Sequence, residues 1–281
     1  MSQHILPPAD WSMSDREFDQ LRRAIFDYSG IVIGPEKRSL LRARLQRRIL
    51  ALQLGSIADY MKLISKATAS AEREQFISSL TTNVTSFFRE QHHFDLLTRT
   101  ILPDLATEGR KLQIWSAGCS SGQEPYSIAM SIHENLPDLA ARTKITATDI
   151  DLKILERARA GVYRRKDIEG IPSSVISRHF RPTQSSPDAD DLQLSIHLRS
   201  MVEFLHLNLN STWVMRQQFD VIFCRNVAIY FSPETQLQLW RKFLTVLRPG
   251  GWLLIGHSER VPAELHPLLQ PSGITAYQKA R

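Results

Sequence analysis

The most constraining feature of this 281-residue chain is an alternation of short apolar segments and amphipathic helices that begins at residue 112. The apolar segments are LQIWSA, KITATDI, FDVIFCRN, WLLIGHS and ITAYQK, and the predicted helices cover 125–135, 151–160 and 233–247. Near-continuous apolar strands that alternate with helices are typical of a parallel sheet covered on both faces. The sequence therefore predicts an α/β domain built on a doubly wound sheet.

Polar and glycine residues stand at the carboxyl ends of three of these predicted strands. Gly118 follows LQIWSA, Asp149 closes the next strand, and the pair Arg225-Asn226 ends FDVIFCRN. Doubly wound sheets bind their ligands at this edge, where the strand order reverses. The sequence therefore predicts a binding site at these positions.

The stretch IWSAGCSSGQEPY, residues 114–126, predicts a strand, a glycine turn and a helix that starts at Pro125. A helix N-terminus carries partial positive charge and usually favours a phosphate. Glu124 places a carboxylate there instead, which repels a phosphate and suits a ligand with an ammonium group. The alternative role for Glu124 is that of a helix-dipole partner without a ligand.

Asp149 is the second acid of the predicted site, and its carboxylate suits the two hydroxyls of a ribose. The alternative is a helix cap, since Asp149 or Asp151 precedes the predicted helix 151–160. The separation from Gly118 exceeds the roughly 20 residues of a dinucleotide fingerprint, and GCSSG lacks its full glycine pattern. Glu124 and Asp149 together therefore favour S-adenosylmethionine over NAD as the cofactor.

Residues 14–80 show a different pattern, with apolar residues at helical spacing and no alternating strand. Ser14 and Glu17 match a capping box, and the first helix is expected to end at Gly30. Further helices are predicted over 37–54, 57–65 and 71–80. We therefore expect a helical domain over residues 1–80 that meets the rest of the chain near TTNVTSFFRE, residues 81–90.

The second predicted helix carries six cations beside an apolar stripe: Lys37, Arg38, Arg42, Arg44, Arg47 and Arg48. Glu36 is the only acidic residue between Asp27 and Asp59, so these cations lack acidic partners one helical turn away. Two interpretations remain open. The cations form either a solvated face or a docking surface for an acidic partner.

The charge balance also favours an acidic partner, because the formal net charge is +6 and the pI is near 9.5. Charge alone does not distinguish nucleic acid, an anionic membrane surface and an acidic protein. The N-terminus shows no export signal, and no uncharged apolar run reaches membrane-spanning length. Two cysteines in this context predict reduced thiols and a cytoplasmic protein without membrane insertion.

Five motifs in order, TTNVTSFFRE, SAGCSSGQEPYS, TDID, FDVIFCRNVAIYF and LRPGGWLLIGHSE, resemble the chemotaxis receptor methyltransferases of the CheR family. The resemblance implies transfer of the methyl group of S-adenosylmethionine to glutamate side chains of chemoreceptors, with S-adenosylhomocysteine as the product. It also implies an N-terminal helical domain and a Rossmann-like methyltransferase domain over 96–281, with residues 81–95 as a linker that contributes to the cofactor site. A small antiparallel β-subdomain is expected within about 161–207.

The resemblance also assigns roles to individual residues. Arg89 and Tyr230 match the residues that the family places beside the transferred methyl group. The cofactor residues implied by the motifs are Asn83, Thr85, Arg89, Gly118, Glu124, Asp149, Asn208, Leu209, Arg225 and Asn226. The six cations of the second helix would contact the acidic methylation region of the receptor's cytoplasmic signalling domain.

The β-subdomain has a weaker signal of its own. LQLSIHL, residues 192–198, and MVEF, residues 201–204, alternate at period two and predict two short strands. In some relatives this subdomain binds a C-terminal receptor peptide by adding a strand to its edge. Whether this chain does so is left open by the sequence.

The expected chemistry needs no general base, because a glutamate side chain with a pKa of ~4.3 is already ionised at neutral pH. In agreement, the sequence shows no Ser-His-Asp set, and its nine histidines lack metal-ligand spacing. His92 and His93 are expected to be structural residues at the start of a helix. Two alternatives to receptor methylation are a nucleic-acid methyltransferase, disfavoured by the lack of a basic aromatic stretch, and a non-catalytic scaffold that binds the cofactor.

Overall fold

The computed structural model describes residues 12–66, 68–80, 84–183, 190–215 and 217–281. Its contacts divide the chain into two units, Met1–Thr82 with Tyr230–Ser232, and Asn83–Ile229 with Pro233–Arg281. None of the described helices combines the length and the apolar character that a bilayer span requires.

The first unit is helical. Its helices are α1 (Asp15–Ser29), α2 (Arg38–Ala51), α3 (Ile57–Ile64) and α4 (Ser70–Leu80). The predicted capping box is confirmed, because the Ser14 hydroxyl accepts from the Glu17 N–H and the Glu17 carboxylate accepts from the Ser14 N–H. Gly30 ends α1 with a φ of 75°, a left-handed conformation that glycine adopts easily because it has no Cβ atom.

The predicted helix over 37–54 is shorter in the structure. Pro35–Lys37 forms a separate 3-10 turn, and α2 ends at Ala51 rather than at Leu54. Gln53 adopts a φ of 56°, which breaks the helical path before Gly55 is reached. The predicted apolar stripe does form the core, where Leu41, Leu45 and Ile49 are buried.

The second unit contains eight further α-helices among its described residues: α5 (His92–Leu96), α6 (Leu102–Ala106), α7 (Gln123–Asn135), α8 (Pro137–Ala140), α9 (Leu152–Ala160), α10 (Ser173–His179), α11 (Ile196–Ser200) and α12 (Pro233–Val246). Its strands are β1 (Leu112–Ala117), β2 (Thr143–Asp149), β3 (Val162–Arg164), β4 (Phe180–Pro182), β5 (Asp191–Leu194), β6 (Val202–His206), β7 (Phe219–Cys224), β8 (Leu247–Ile255), β9 (Leu269–Gly273) and β10 (Ala276–Lys279). Seven strands form the main sheet in the order β6-β2-β1-β7-β8-β10-β9.

The strand order of the main sheet confirms the predicted doubly wound α/β fold. The chain builds outward from β1 to β2 and β6 and then returns to place β7 on the other side of β1. The five strands from β6 to β8 run parallel, and β10 pairs antiparallel with β8. The order therefore reverses between β1 and β7, which is where such sheets bind ligands.

The small sheet differs from its prediction. It is antiparallel, as expected, but it consists of β3, β5 and β4. Of LQLSIHL only the first part is a strand, because Ile196–Ser200 forms α11. The MVEF segment belongs to β6, which pairs parallel with β2 in the main sheet. Period-two alternation indicates a strand but does not specify its partner, which explains the error.

Candidate functional site

The loop between β1 and α7 passes close to two neighbouring segments. Gly118 and Gly122 have φ angles of 82° and 94°, which favour glycine. A Cβ atom on Gly118 would lie 2.4 Å from Val227 Cγ2, and one on Gly122 would lie 2.9 Å from the Tyr163 hydroxyl. The Tyr163 hydroxyl also donates to the Ser121 carbonyl at 2.8 Å, so β3 of the small sheet holds this loop.

Glu124 lies in the first turn of α7, which begins at Gln123, two residues earlier than predicted. Its carboxylate accepts hydrogen bonds from the Ser116 hydroxyl at 2.7 Å and from Arg225 Nη1 at 3.1 Å. Only 13% of the side chain is exposed, so the carboxylate does not turn out into solvent. Burial raises the pKa of Glu124, and the Arg225 guanidinium and the Ser116 hydroxyl oppose that rise.

Arg225 connects three segments of the second unit. Besides Glu124, its guanidinium donates to the Arg89 carbonyl and lies 3.3 Å from Glu90 Oε2. The side chain is only 2% exposed and lies over the ring of Phe94, with 5.7 Å from Cζ to the centroid. One buried guanidinium thus joins the end of β7, the first turn of α7 and the segment that carries Arg89.

The backbone around Arg89 is strained on both sides. Phe88 and Glu90 have φ angles of 53° and 57°, which are unfavourable for residues with a Cβ atom. Such strain persists only where surrounding contacts impose it, and it is concentrated at functional sites. Here the imposing contacts are the Arg225 bond to Arg89 and a 2.9 Å hydrogen bond from the Phe88 N–H to the Ser127 hydroxyl.

Glu90 was not identified from the sequence, although it closes the motif TTNVTSFFRE. Its side chain is 12% exposed, with Oε2 in an ion pair 3.3 Å from Arg225 Nη2 and Oε1 hydrogen-bonded to His257 Nδ1 at 3.1 Å. Burial alone would raise the pKa of Glu90, but the Arg225 charge and the His257 hydrogen bonds outweigh it and lower the pKa to about 2. Glu90 is therefore ionised in the folded protein at neutral pH.

Asp149 ends β2 and orients the glycine loop. Oδ2 accepts from the Ser120 N–H at 2.8 Å, and Oδ1 accepts from the Asp151 N–H at 3.0 Å. The helix cap belongs to Asp151, whose carboxylate accepts from the N–H groups of Lys153 and Ile154. The Ile150 N–H is a third backbone donor to this carboxylate, whose two oxygens still have acceptor capacity for a ligand. Burial raises the pKa of Asp149, and these backbone N–H groups oppose the rise.

The loop after β6 carries Asn208 and Leu209. The Asn208 carbonyl oxygen Oδ1 accepts from the Asn210 N–H at 2.9 Å, and Leu209 is buried. Lys242 of α12 donates to the backbone carbonyls of Leu209, Asn210 and Ser211 at 2.8 to 3.2 Å. Sequence reasoning missed Lys242, because a lysine on a helix gives no sign that it fixes a distant loop.

Most of the predicted cofactor residues lie at the carboxyl edge of the main sheet, in the strand ends, loops and linker described above. They are Arg89, Gly118, Glu124, Asp149, Asn208, Leu209, Arg225 and Asn226. Thr85 lies half-buried in the segment before Arg89, whereas Asn83 lies outside the described residues. Tyr230 groups with the first unit, where its carbonyl accepts from the Val32 N–H at 2.8 Å. Its predicted role beside the methyl group stays a prediction.

The six cations of the first unit are not equivalent. Arg38 pairs with Asp15 and the Met13 carbonyl, and Arg48 binds Glu72 of α4 through two nitrogens. Lys37 Nζ lies 5.6 Å from the centroid of the Tyr230 ring. Arg42 and Arg47 are exposed, and Arg44, Arg47 and Arg48 line an open cleft of about 420 Å³. Arg38 and Arg48 thus find acidic partners on other helices, Asp15 on α1 and Glu72 on α4.

Two groups of three residues have the composition of a metal site, Glu90 with His92 and His93, and Glu134 with His133 and His179. His92 begins α5, which confirms the predicted helix start. Arg225 lies against Glu90, and Arg178 binds Glu134. A guanidinium already compensates the carboxylate in each group. The prediction that the protein holds no metal stays a prediction.

Comparisons with known proteins show the family of the chain. The CheR methyltransferase SAM-binding domain matches residues 83–277, and the CheR all-alpha domain matches residues 16–81. A probable chemotaxis protein methyltransferase of Rhizobium etli is 40% identical over 90% of this chain and 96% of its own length. Chemotaxis protein methyltransferase 2 of Pseudomonas aeruginosa is 39% identical over 94% of this chain and 93% of its own length.

A similar chemotaxis protein methyltransferase of Escherichia coli is 38% identical over 88% of this chain and 85% of its own length. Among solved structures, the N-methyltransferase NodS of Bradyrhizobium japonicum with S-adenosyl-l-homocysteine is 15% identical, covers 70% of this chain and 89% of its own, and has a TM-score of 0.39. The two family domains together span nearly all of the described residues. The chain therefore belongs to the CheR family of S-adenosylmethionine-dependent methyltransferases.

Proposed function

We propose that this protein methylates glutamate side chains of chemoreceptors, as a protein-glutamate O-methyltransferase that serves adaptation in chemotaxis. The observation that carries the proposal is the Arg225 cluster, in which one guanidinium ties Glu124 to the strained segment of Arg89. This arrangement links a site for a cationic cofactor end with a cation able to orient a substrate carboxylate. The names of the relatives support the same reaction.

The cofactor roles follow from the chemistry of the side chains. Glu124 suits the ammonium group of S-adenosylmethionine, because its buried carboxylate is only partly compensated by Arg225. Asp149 suits the ribose hydroxyls, since its carboxylate has acceptor capacity left beside its backbone N–H donors. Asn208 and Leu209 would flank the adenine in the loop that Lys242 holds. Gly118 would allow close approach of the cofactor to the loop backbone.

Bound S-adenosylmethionine supplies a methyl group on a positively charged sulfur, which an ionised carboxylate attacks without help from a base. The task of the protein is therefore to align the carboxylate oxygen with the methyl carbon and the sulfur, a proximity contribution. Arg89 would orient the substrate carboxylate through a forked hydrogen bond, and the Tyr230 hydroxyl would fix its second oxygen. Asn83, Thr85 and Asn226 would complete the surroundings of the cofactor.

We further propose that the acidic methylation region of the receptor docks on the basic face of α2. Arg42 and Arg47 are the exposed cations of that face, and Arg44 lines the adjacent cleft. Arg38 and Arg48 contribute less, because their charges are committed to Asp15 and Glu72. A receptor C-terminal peptide would add to an edge of the small sheet, where β3 and β4 are the outer strands. Such a substrate implies a cytoplasmic location.

The experiment that tests the reaction uses S-adenosylmethionine with a labelled methyl group and purified receptor signalling fragments. We expect label on the fragment that is released as methanol by base, the behaviour of a carboxyl methyl ester. Replacement of the acceptor glutamates by aspartate or alanine should abolish labelling. Arg89→Ala should reduce turnover more than it reduces thermal stability. Label on added RNA or DNA, or cofactor binding without any transfer, would contradict the proposal.

A further inference from the structure

Glu259 is a buried carboxylate that the proposed reaction does not use. The residue is 2% exposed and follows β8 in the motif GHSE. Oε1 accepts from the N–H groups of Val227, Ala228 and Ile229 at 2.9, 2.7 and 3.3 Å. Oε2 accepts from the N–H groups of Asn226 and Gly256 at 3.0 and 2.6 Å.

These five backbone donors account for the burial of the charge. An anion enclosed by successive N–H groups is stabilised by their dipoles, as in the backbone nests that bind free anions. No Lys, Arg or His side chain pairs with the Glu259 carboxylate in the part of the chain that the structure describes. The carboxylate thus acts as an internal anion that gathers one loop around itself.

That loop carries residues of the proposed cofactor site. It begins directly after Arg225 and opens with Asn226 at a φ of 60°, a left-handed conformation that the Glu259 bond to its N–H holds in place. Val227, the next residue, packs against Gly118 so closely that a Cβ atom there would clash. The carboxylate of Glu259 therefore sets where the end of β7 meets the glycine loop.

We infer that Glu259 is a positioning residue for methyl transfer, which acts by fixing the 226–229 loop and through it Arg225, Asn226 and the glycine loop. The inference rests on the proposed cofactor roles of those residues. It predicts that Glu259 contributes to cofactor affinity and turnover without touching the cofactor. A purely structural residue would contribute to stability alone.

The test compares Glu259→Gln with Asp220→Asn. The Gln amide keeps the size but turns an NH₂ group toward N–H donors, so the loop loses part of its anchor. Asp220 is the matched control, because it is a buried carboxylate near the amino end of β7 that pairs with Arg110 and accepts from the Gln113 N–H. Both variants should lower the melting temperature. Only Glu259→Gln should also weaken cofactor binding, by about tenfold, and lower kcat by about 10- to 100-fold.

Calorimetry with both S-adenosylmethionine and S-adenosylhomocysteine distinguishes the effect of a misplaced loop from the effect of losing the Glu259 charge, since only S-adenosylmethionine carries the sulfonium. A misplaced loop should weaken both ligands by the same factor. Loss of affinity for S-adenosylmethionine alone would overturn the inference, because it would assign the effect to the charge of Glu259. Unchanged affinity for both, together with a wild-type kcat, would also overturn it.

Gly256→Ala provides a second variant should Glu259→Gln fail to fold. A Cβ atom on Gly256 would lie 2.6 Å from Asn226 Nδ2, 2.8 Å from the Asn226 backbone nitrogen and 2.9 Å from Glu259 Oε2, so it displaces the contacts between Glu259 and the loop and keeps the charge. Its binding of both ligands should weaken equally, and wild-type affinity would refute the inference. These binding measurements need no receptor. A protein that binds the cofactor normally but methylates no receptor would contradict the proposed function and leave this inference intact.

Discussion

Each unit contains an arginine–glutamate cluster, part-buried in the helical unit and centred on the buried Arg225 in the second, and the two clusters differ in their charge balance. In the helical unit, Arg48 Nε lies 2.8 Å from Glu72 Oε1, and the Tyr60 hydroxyl donates to the same oxygen at 2.8 Å. One cation meets one anion, and each group has a hydrogen-bond partner. In the second unit Arg225 faces two carboxylates, Glu90 and Glu124.

The second cluster is also incompletely satisfied. Glu90 Oε2 and Arg225 Nε are buried atoms without a hydrogen-bond partner among the described residues, and the backbone beside them is strained. Buried polar groups in folded proteins are normally paired, so exceptions need an explanation. The balanced cluster joins α2 to α3 and α4, whereas the unbalanced one is the cluster that we propose for binding the cationic end of the cofactor. The two clusters thus differ in charge balance and in hydrogen-bond satisfaction, and the proposed roles follow that difference.

The largest expected difference comes from removing each arginine. Arg225→Met leaves two buried carboxylates without their cation, and such a loss costs about 3–5 kcal/mol of unfolding free energy. It should also raise the Kd for S-adenosylmethionine at least about tenfold, because Arg89 and Glu124 lose their common partner. Urea denaturation and calorimetric titration measure the two effects.

Arg48→Met is the matched change in the helical unit. It should cost about 1–3 kcal/mol, since Glu72 and Tyr60 remain hydrogen-bonded to each other. Its cofactor affinity should equal that of the wild type. A comparable loss of cofactor affinity in both variants would remove the distinction between the clusters.

Glu90→Gln tests the ion pair of Glu90 and Arg225 through the pH dependence of the unfolding free energy. The pKa of Glu90 is about 2 in the folded protein, below its ordinary value of 4.5, so the ionised form is favoured by about 3 kcal/mol. That stabilisation is complete above pH 4.5 and is lost as the pH falls toward 2. The difference in unfolding free energy between wild type and Glu90→Gln should therefore shrink from pH 7 to pH 3. A difference independent of pH would show that Glu90 acts by packing alone.

Asp149→Ala tests whether the acids of the second unit serve a ligand. We expect cofactor affinity to fall by about tenfold or more, because a bidentate acceptor for the ribose is lost. Asp151→Ala, two residues away, removes the side-chain cap of α9 and should cost about 1 kcal/mol of stability. The Kd of the Asp151 variant should stay at the wild-type value. Equal Kd values for the two variants would place Asp149 outside the cofactor site.

The smallest effect is expected on the basic face of α2. Arg47→Glu should slow receptor methylation several-fold at low salt and less at high salt, since the exposed charge steers association. Cofactor affinity should not change. Arg16→Glu, an equal charge change at an exposed position of α1, is the control. If both variants slowed methylation alike, net charge rather than docking on α2 would explain the result.

Local sequence patterns were sufficient for most elements. The capping box at Ser14, the apolar stripe of α2 and the strands β1, β2 and β7 were predictable, because each depends on residues near one another in the chain. The acid near the start of α7 was also predictable, although α7 begins at Gln123 and not at Pro125 as predicted. The partners of the strands were not predictable in this way, and the segment MVEF was therefore assigned to the wrong sheet.

What the sequence by itself determined was the doubly wound fold and the chemical character of the site edge, because periodicity and residue type are local properties. Only the tertiary structure decided which charges are committed and which remain available. Residue type does not distinguish Arg48 from Arg225, but one meets a single glutamate and the other meets two. Electrostatic energy depends on distances in space and on burial, and the residues of each pair lie far apart along the chain.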